Sequence, residues 1–100
     1  MDKVLVVKPD DNVATCLRDF EKGQEVDVPG LDAPLKLKLR DDIGFGHKFA
    51  IRAIAAGEPV RKYAETIGVA SVAIEPGDWV HVHNVESVRA RGDQAGGARQ

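Results

Sequence analysis

A chain of 100 residues, 43% apolar and 30% charged, has the length of one domain and the make-up of an ordinary soluble globular protein. A net charge of −2 argues against a nucleic-acid module, which carries a basic surplus on one face. No run of about 18 apolar residues could span a membrane, so no membrane partner is expected.

The one cysteine, Cys16, excludes an intrachain disulfide and suits a reducing cytosol. The apolar run Val4-Leu5-Val6-Val7 behind Met1-Asp2-Lys3 is too short for the core of a signal peptide, so the expected location is cytoplasmic. Three Phe, one Trp and one Tyr leave the core to aliphatic side chains. A core this thin commonly leans on a partner.

In chain order, the apolar run from Lys3 to Lys8, stopped by Pro9, predicts a strand. Asp10, Asp11 and Asn12 are good helix N-caps, and Val13, Cys16, Leu17 and Phe20 follow at helical spacing. An amphipathic helix is expected there, stopped by a left-handed Gly23, with Cys16 as a small packed hydrophobe. Glu25 to Val28 predicts a strand ended by Pro29-Gly30. Leu35, Leu37 and Leu39 alternate with Lys36, Lys38 and Arg40, the cleanest period-2 pattern in the chain. Its basic stripe reads as a solvated strand face in preference to an anion site.

Asp41-Asp42 turn the chain into Ile43, and His47 to Ile54 is read as a strand in preference to a short helix. An internal echo follows. Ile54 to Val60 and Ile74 to Val80 share the form Ile-x-x-Gly-acidic-x-Val, and Phe20 to Val26 is a weaker copy. Each predicts a turn with a left-handed glycine feeding a β-run. Thr66 to Ala73 is left open between a turn or two of helix and an extended link. Trp79 to Val85 predicts a strand with Val80 and Val82 on one face and Trp79, His81 and His83 on the other. Residues 1–88 make the expected domain, and 89–100 an expected disordered tail. The fold class is thus mainly β with one or two short helices.

All three histidines lie between Ile43 and Asn84. His81 and His83 could be half of a divalent metal site, although on the residues alone a hydrogen-bonded pair on an edge strand is favoured. Gly46-His47-Lys48 offers a proton carrier and a cation after a Gly-x-Gly turn. The alternative is a surface turn with two polar residues. Lys62 and Tyr63, adjacent on a strand, should point to opposite faces and not act together. No Gly-x-Ser-x-Gly elbow and no converging carboxylate pair is present, so a complete enzyme site is not visible.

Taken in order, these runs resemble the altronate dehydratase family. Ile43-Gly44-Phe45-Gly46-His47-Lys48-Phe49-Ala50-Ile51 is similar to its Ile-Pro-x-Gly-His-Lys-x-Ala run. Ala55 to Val60 with Lys62-Tyr63, Ile67-Gly68-Val69-Ala70 and His81-Val82-His83-Asn84 are similar to the runs that follow. The chain departs from the family pattern at Gly44, Ala64 and Trp79.

The resemblance implies a SAF-type β-clip fold. It also implies a role as the separate small subunit of a lyase that eliminates water or sulfite from a 2-hydroxy acid such as altronate, galactarate or sulfolactate. Such a subunit would act with a large catalytic chain and be inactive alone. The alternative is a non-catalytic sugar-acid-binding or assembly module. The resemblance further implies His47 and Lys48 as catalytic residues, Lys48, Lys62 and Asn84 as substrate contacts, and His81 and His83 as ligands of a divalent metal, Fe(II) or Mn(II), completed by a partner chain. In isolation, exposed β-edges make a homodimer an expectation.

Overall fold

The computed structural model describes residues 4–6, 8, 10–29, 31 and 35–87. The expected tail, 89–100, lies outside them, as do parts of the Lys3 to Lys8 strand and the Pro29-Gly30 turn. The described residues form nine short strands and no helix: β1 (Val4–Leu5), β2 (Val13–Cys16), β3 (Glu25–Val28), β4 (Leu35–Lys38), β5 (Lys48–Ala50), β6 (Pro59–Lys62), β7 (Glu65–Ala70), β8 (Trp79–Val80) and β9 (Val85–Glu86). All pairings are antiparallel, in sheets ordered β1-β2-β5-β8, β3-β4 and β6-β7-β9.

The expected helix after Asn12 is a strand. β2 lies inside its sheet, and the β2–β5 pair separates two cores. Ala14 and Cys16 with Phe49 join Val4, Phe20, Leu39 and Ile43 on one side. Val13 and its register partner Ala50 join Ile54, Val60, Ile74 and Val80 on the other. A strand covered on both faces loses its alternation, and its apolar residues fall by chance at helical spacing. Leu17, placed on the apolar stripe of the expected helix, is 43% exposed. The buried Cys16 thiol is pushed up to about 11 by burial and by the Asp19 charge, so it is an inert packed group.

The repeated turn is the organising device, and it occurs four times. Glu21 to Gln24, Gly44 to His47, Ala55 to Glu58 and Glu75 to Asp78 each close with the last N–H donating to the first carbonyl, at 2.9–3.0 Å. Their third residues, Gly23, Gly46, Gly57 and Gly77, all have φ of +84 to +91°. This is the type II pattern, and Pro76 supplies its preferred second residue.

The turns work in pairs. Phe20 bridges Ile43, and Ile54 bridges Ile74. In each pair the glycine N–H donates to a carbonyl of the strand that enters the opposite turn: Gly23 to Leu39, Gly46 to Cys16, Gly57 to Ala70 and Gly77 to Ala50. The first pair is also cross-capped, with Phe45 N–H donating to Asp19 Oδ1 and Lys22 N–H to Asp42 Oδ1, both at 2.8 Å.

Thr66 to Ala73, left open above, is largely strand, because Glu65–Ala70 returns from β6 through a two-residue hairpin. β4 keeps the expected alternation, and its basic face is matched across the hairpin, Lys36 opposite Asp27 and Lys38 opposite Glu25. That pairing fits a solvated face.

Candidate functional site

One of the four turns diverges chemically. In three, the residue after the glycine is an acceptor that closes its own turn: Gln24 receives Glu21 N–H, Glu58 receives Ala55 N–H and Asp78 receives Glu75 N–H. In the fourth that place is His47. Its imidazole stands at the surface, half-buried, while Asp19 accepts the Phe45 N–H of the same turn.

The strand expected from Trp79 to Val85 breaks after Val80. Residues 81–84 form a turn, and Val82, placed on the buried face by alternation, is 81% exposed. The cause is Asn84. It is 5% exposed, its Oδ1 accepts His81 N–H at 3.0 Å and its Nδ2 donates to the Trp79 carbonyl at 2.8 Å. Both ends of the amide are committed to the turn, so Asn84, expected to touch substrate, acts as the clamp that places His81 and His83. Asn84→Ala would strand the Trp79 carbonyl and the His81 amide, at a cost of about 1–3 kcal/mol read by thermal unfolding. An unchanged melting temperature would count against this role.

The clamped turn brings the three histidines around Trp79. His81 stacks on the indole with ring centroids 5.0 Å apart and planes 10° apart, and His83 packs at 5.0 Å. From the other turn, His47 sits 5.1 Å from His81 and 5.8 Å from Trp79. Trp79 itself packs against the first core. Its Nε1 is buried with no hydrogen-bond partner among the described residues. An orphan N–H wants an acceptor and cannot ligate a cation.

Lys48, on the central strand β5, opens into a cavity of about 280 Å³ lined also by Ile67, Val80, His81, Val82 and Val85. Burial first, and the Lys62 charge second, hold its ammonium below the ordinary lysine value. Lys62 ends β6 and Tyr63 begins the following turn, so the pair is not split by strand alternation. The Lys62 Nζ lies over the Tyr63 ring, 4.6 Å from its centroid.

Among the described residues, no three His, Cys, Asp or Glu side chains come together in a group able to hold a metal ion. Among the described residues, His81 and His83 thus gain no third ligand of these types. Sequence reasoning named His47, Lys48, Lys62, His81 and His83, and it missed Trp79 as the ring that gathers the imidazoles. A lone tryptophan beside His-x-His was the available signal.

An all-β domain of antiparallel strands joined by paired type II turns fits a SAF-type β-clip. The chain belongs to the altronate/galactarate dehydratase SAF domain family, whose pattern it matches over residues 2–88. It is 34% identical over 87 residues to the altronate dehydratase of Bacillus subtilis (strain 168), covering 87% of this chain and 17% of that protein. It is 43% identical over 77 residues to the altronate dehydratase of Escherichia coli (strain K12), covering 77% of this chain and 15% of that protein. A third relative, the (2R)-sulfolactate sulfo-lyase subunit alpha of Chromohalobacter salexigens, is 45% identical over 58 residues, 58% of this chain and 62% of the subunit. The chain thus spans about a sixth of the altronate dehydratases it matches. Among the described residues no helix is long and apolar enough to cross a membrane.

Proposed function

We propose that the chain is the small subunit of a lyase that eliminates water or sulfite from a 2-hydroxy acid such as altronate, galactarate or sulfolactate, working with a large catalytic chain. The observation that carries this reading is the convergence of two turns distant in sequence. They bring His47 to His81, and His81 lines the same cavity as Lys48. The relatives support it, since one is named as the alpha subunit of a lyase and the others hold this domain within a longer dehydratase.

Elimination needs a base for the proton beside the carboxylate, a cation to hold the carboxylate as charge builds on it, and an acid for a departing hydroxyl. Lys48 is the cation, with Lys62 as its neighbour. His47 and His81 are the proton carriers, within reach of one another. The base takes the proton, the bond to the leaving group breaks, and the electron pair becomes the new C=C bond. A divalent ion such as Fe(II) or Mn(II) would be held by imidazoles of this cluster only with ligands from the large chain, and it would supply further stabilisation of the carboxylate.

The test is co-production with the large chain of the same lyase and a screen of 2-hydroxy acids. The small chain alone is expected to show no turnover. In the complex, His47→Gln and His81→Gln should each lower kcat about 100-fold or more, with assembly intact. Full turnover by both variants in an intact complex would defeat the catalytic role and leave an assembly module.

A further inference from the structure

We infer that Asp11 is a positioning residue of this site: its buried carboxylate holds the Tyr63–Ala64 turn in a left-handed conformation and so sets Lys62 beside Lys48. The β6–β7 hairpin closes through two residues, with Lys62 paired to Glu65. Tyr63 and Ala64 have φ of 58° and 62°. Positive φ at both positions is the type I′ geometry, in which Asn-Gly is comfortable and a tyrosine followed by an alanine is strained.

The compensation comes from far away in the chain. Tyr63 N–H donates to Asp11 Oδ2 at 3.0 Å, and Ala64 N–H donates to Asp11 Oδ1 at 2.7 Å. Two successive N–H groups turned to one side form an anion-binding nest, here filled by a carboxylate of the chain itself. Asp11 is 1% exposed, and Lys8 N–H also donates to it, at 3.3 Å. Asn12 reinforces the grip. Its Oδ1 accepts Arg61 N–H at 2.7 Å, where β6 is bulged, and its Nδ2 donates to the Pro59 carbonyl at 3.0 Å. The hairpin tip is thus hung from residues 11 and 12. It carries Lys62 over the Tyr63 ring, at the place from which its charge bears on Lys48.

Amide exchange by NMR on the 100-residue chain tests this directly. Asp11→Asn should speed exchange at Tyr63 and Ala64 about tenfold or more while β2 and β5 stay protected, since a charge-assisted bond to each amide is lost. Adding Ala64→Gly, which tolerates positive φ, should restore protection in part. A bystander role in the core would not be rescued by a change at the turn. Unchanged exchange in Asp11→Asn, or no recovery in the double variant, would overturn the inference. If Asp11→Asn does not fold, Ala64→Gly alone decides: it should raise stability, and a fall would overturn the inference.

These readouts do not depend on the lyase reading. The consequence for turnover does rest on it: in the complex Asp11→Asn should raise KM about tenfold and leave kcat nearly unchanged, because it loosens a substrate contact without removing a reacting group.

Discussion

Replacing Gly77 with alanine is expected to cost about 3 kcal/mol or more, against about 1–2 kcal/mol for the same change at Gly23. The two glycines have the same backbone, with φ of +91° and +89°, and hold the same place in the repeated turn. The left-handed penalty for an alanine is therefore common to both. They differ in the space around them. A Cβ on Gly23 meets nothing within 4 Å, whereas one on Gly77 would lie 2.5 Å from the Lys38 carbonyl oxygen and 3.4 Å from Arg40 Cγ. The carbonyl cannot simply yield, since Lys38 ends β4 and Arg40 N–H donates to the Gly77 carbonyl at 2.9 Å. The Arg40–Asp78 ion pair at 2.8 Å ties the same two segments. Overpacking adds about 1–3 kcal/mol, a large part of the stability of a small domain. Urea unfolding of both variants measures the difference, and equal losses at the two positions would show that the contact with β4 is of no consequence.

The same turn shows what could be read from residues alone. Ile-x-x-Gly-acidic-x-Val exposes three copies because the residue after glycine is a polar acceptor with a structural task. The copy at Ile43 escapes the pattern because the residue after its glycine is His47, not an acidic or amide acceptor, and because Phe49 stands where the others have valine. β3 and β4 were legible because one face is wet. β2 was not, because two cores remove the alternation that marks a strand. Asp10, Asp11 and Asn12 were read as caps, and two of them do accept backbone N–H groups. Those amides belong to a hairpin some fifty positions on, with separations of 49, 52 and 53 residues, and nothing local announces such a partner. The meeting of His47 with His81 was likewise invisible to spacing and entered only through the family resemblance.

Lys48→Met is expected to abolish turnover in the assembled enzyme, by about 100-fold or more, while leaving the small chain at least as stable as before. The lysine sits on β5, between Thr15 of β2 and Val80 of β8, with no ion pair among the described residues and with Lys62 nearby. Its folded value is depressed, so the unfolded chain holds this proton more tightly. Between the depressed value and the ordinary 10.5 the unfolded state binds more protons, and stability rises with pH across that window. Below the window, which includes neutral pH, the full penalty of the charge is present. A methionine of similar length removes that penalty, so a small rise in melting temperature is expected near pH 7, shrinking as pH approaches 10.5. The gain is modest because the half-buried group keeps part of its hydration. For catalysis the sign is opposite. A cation that holds a carboxylate works only while protonated, so kcat/KM of the native complex should fall as pH rises through the depressed value. Lys48→Arg, charged throughout, should move that fall to higher pH. A native profile that instead climbs across this range would make Lys48 the proton acceptor and remove it as the carboxylate's partner. A variant that is both less stable and fully active would show that the charge belongs to the fold and not to the site.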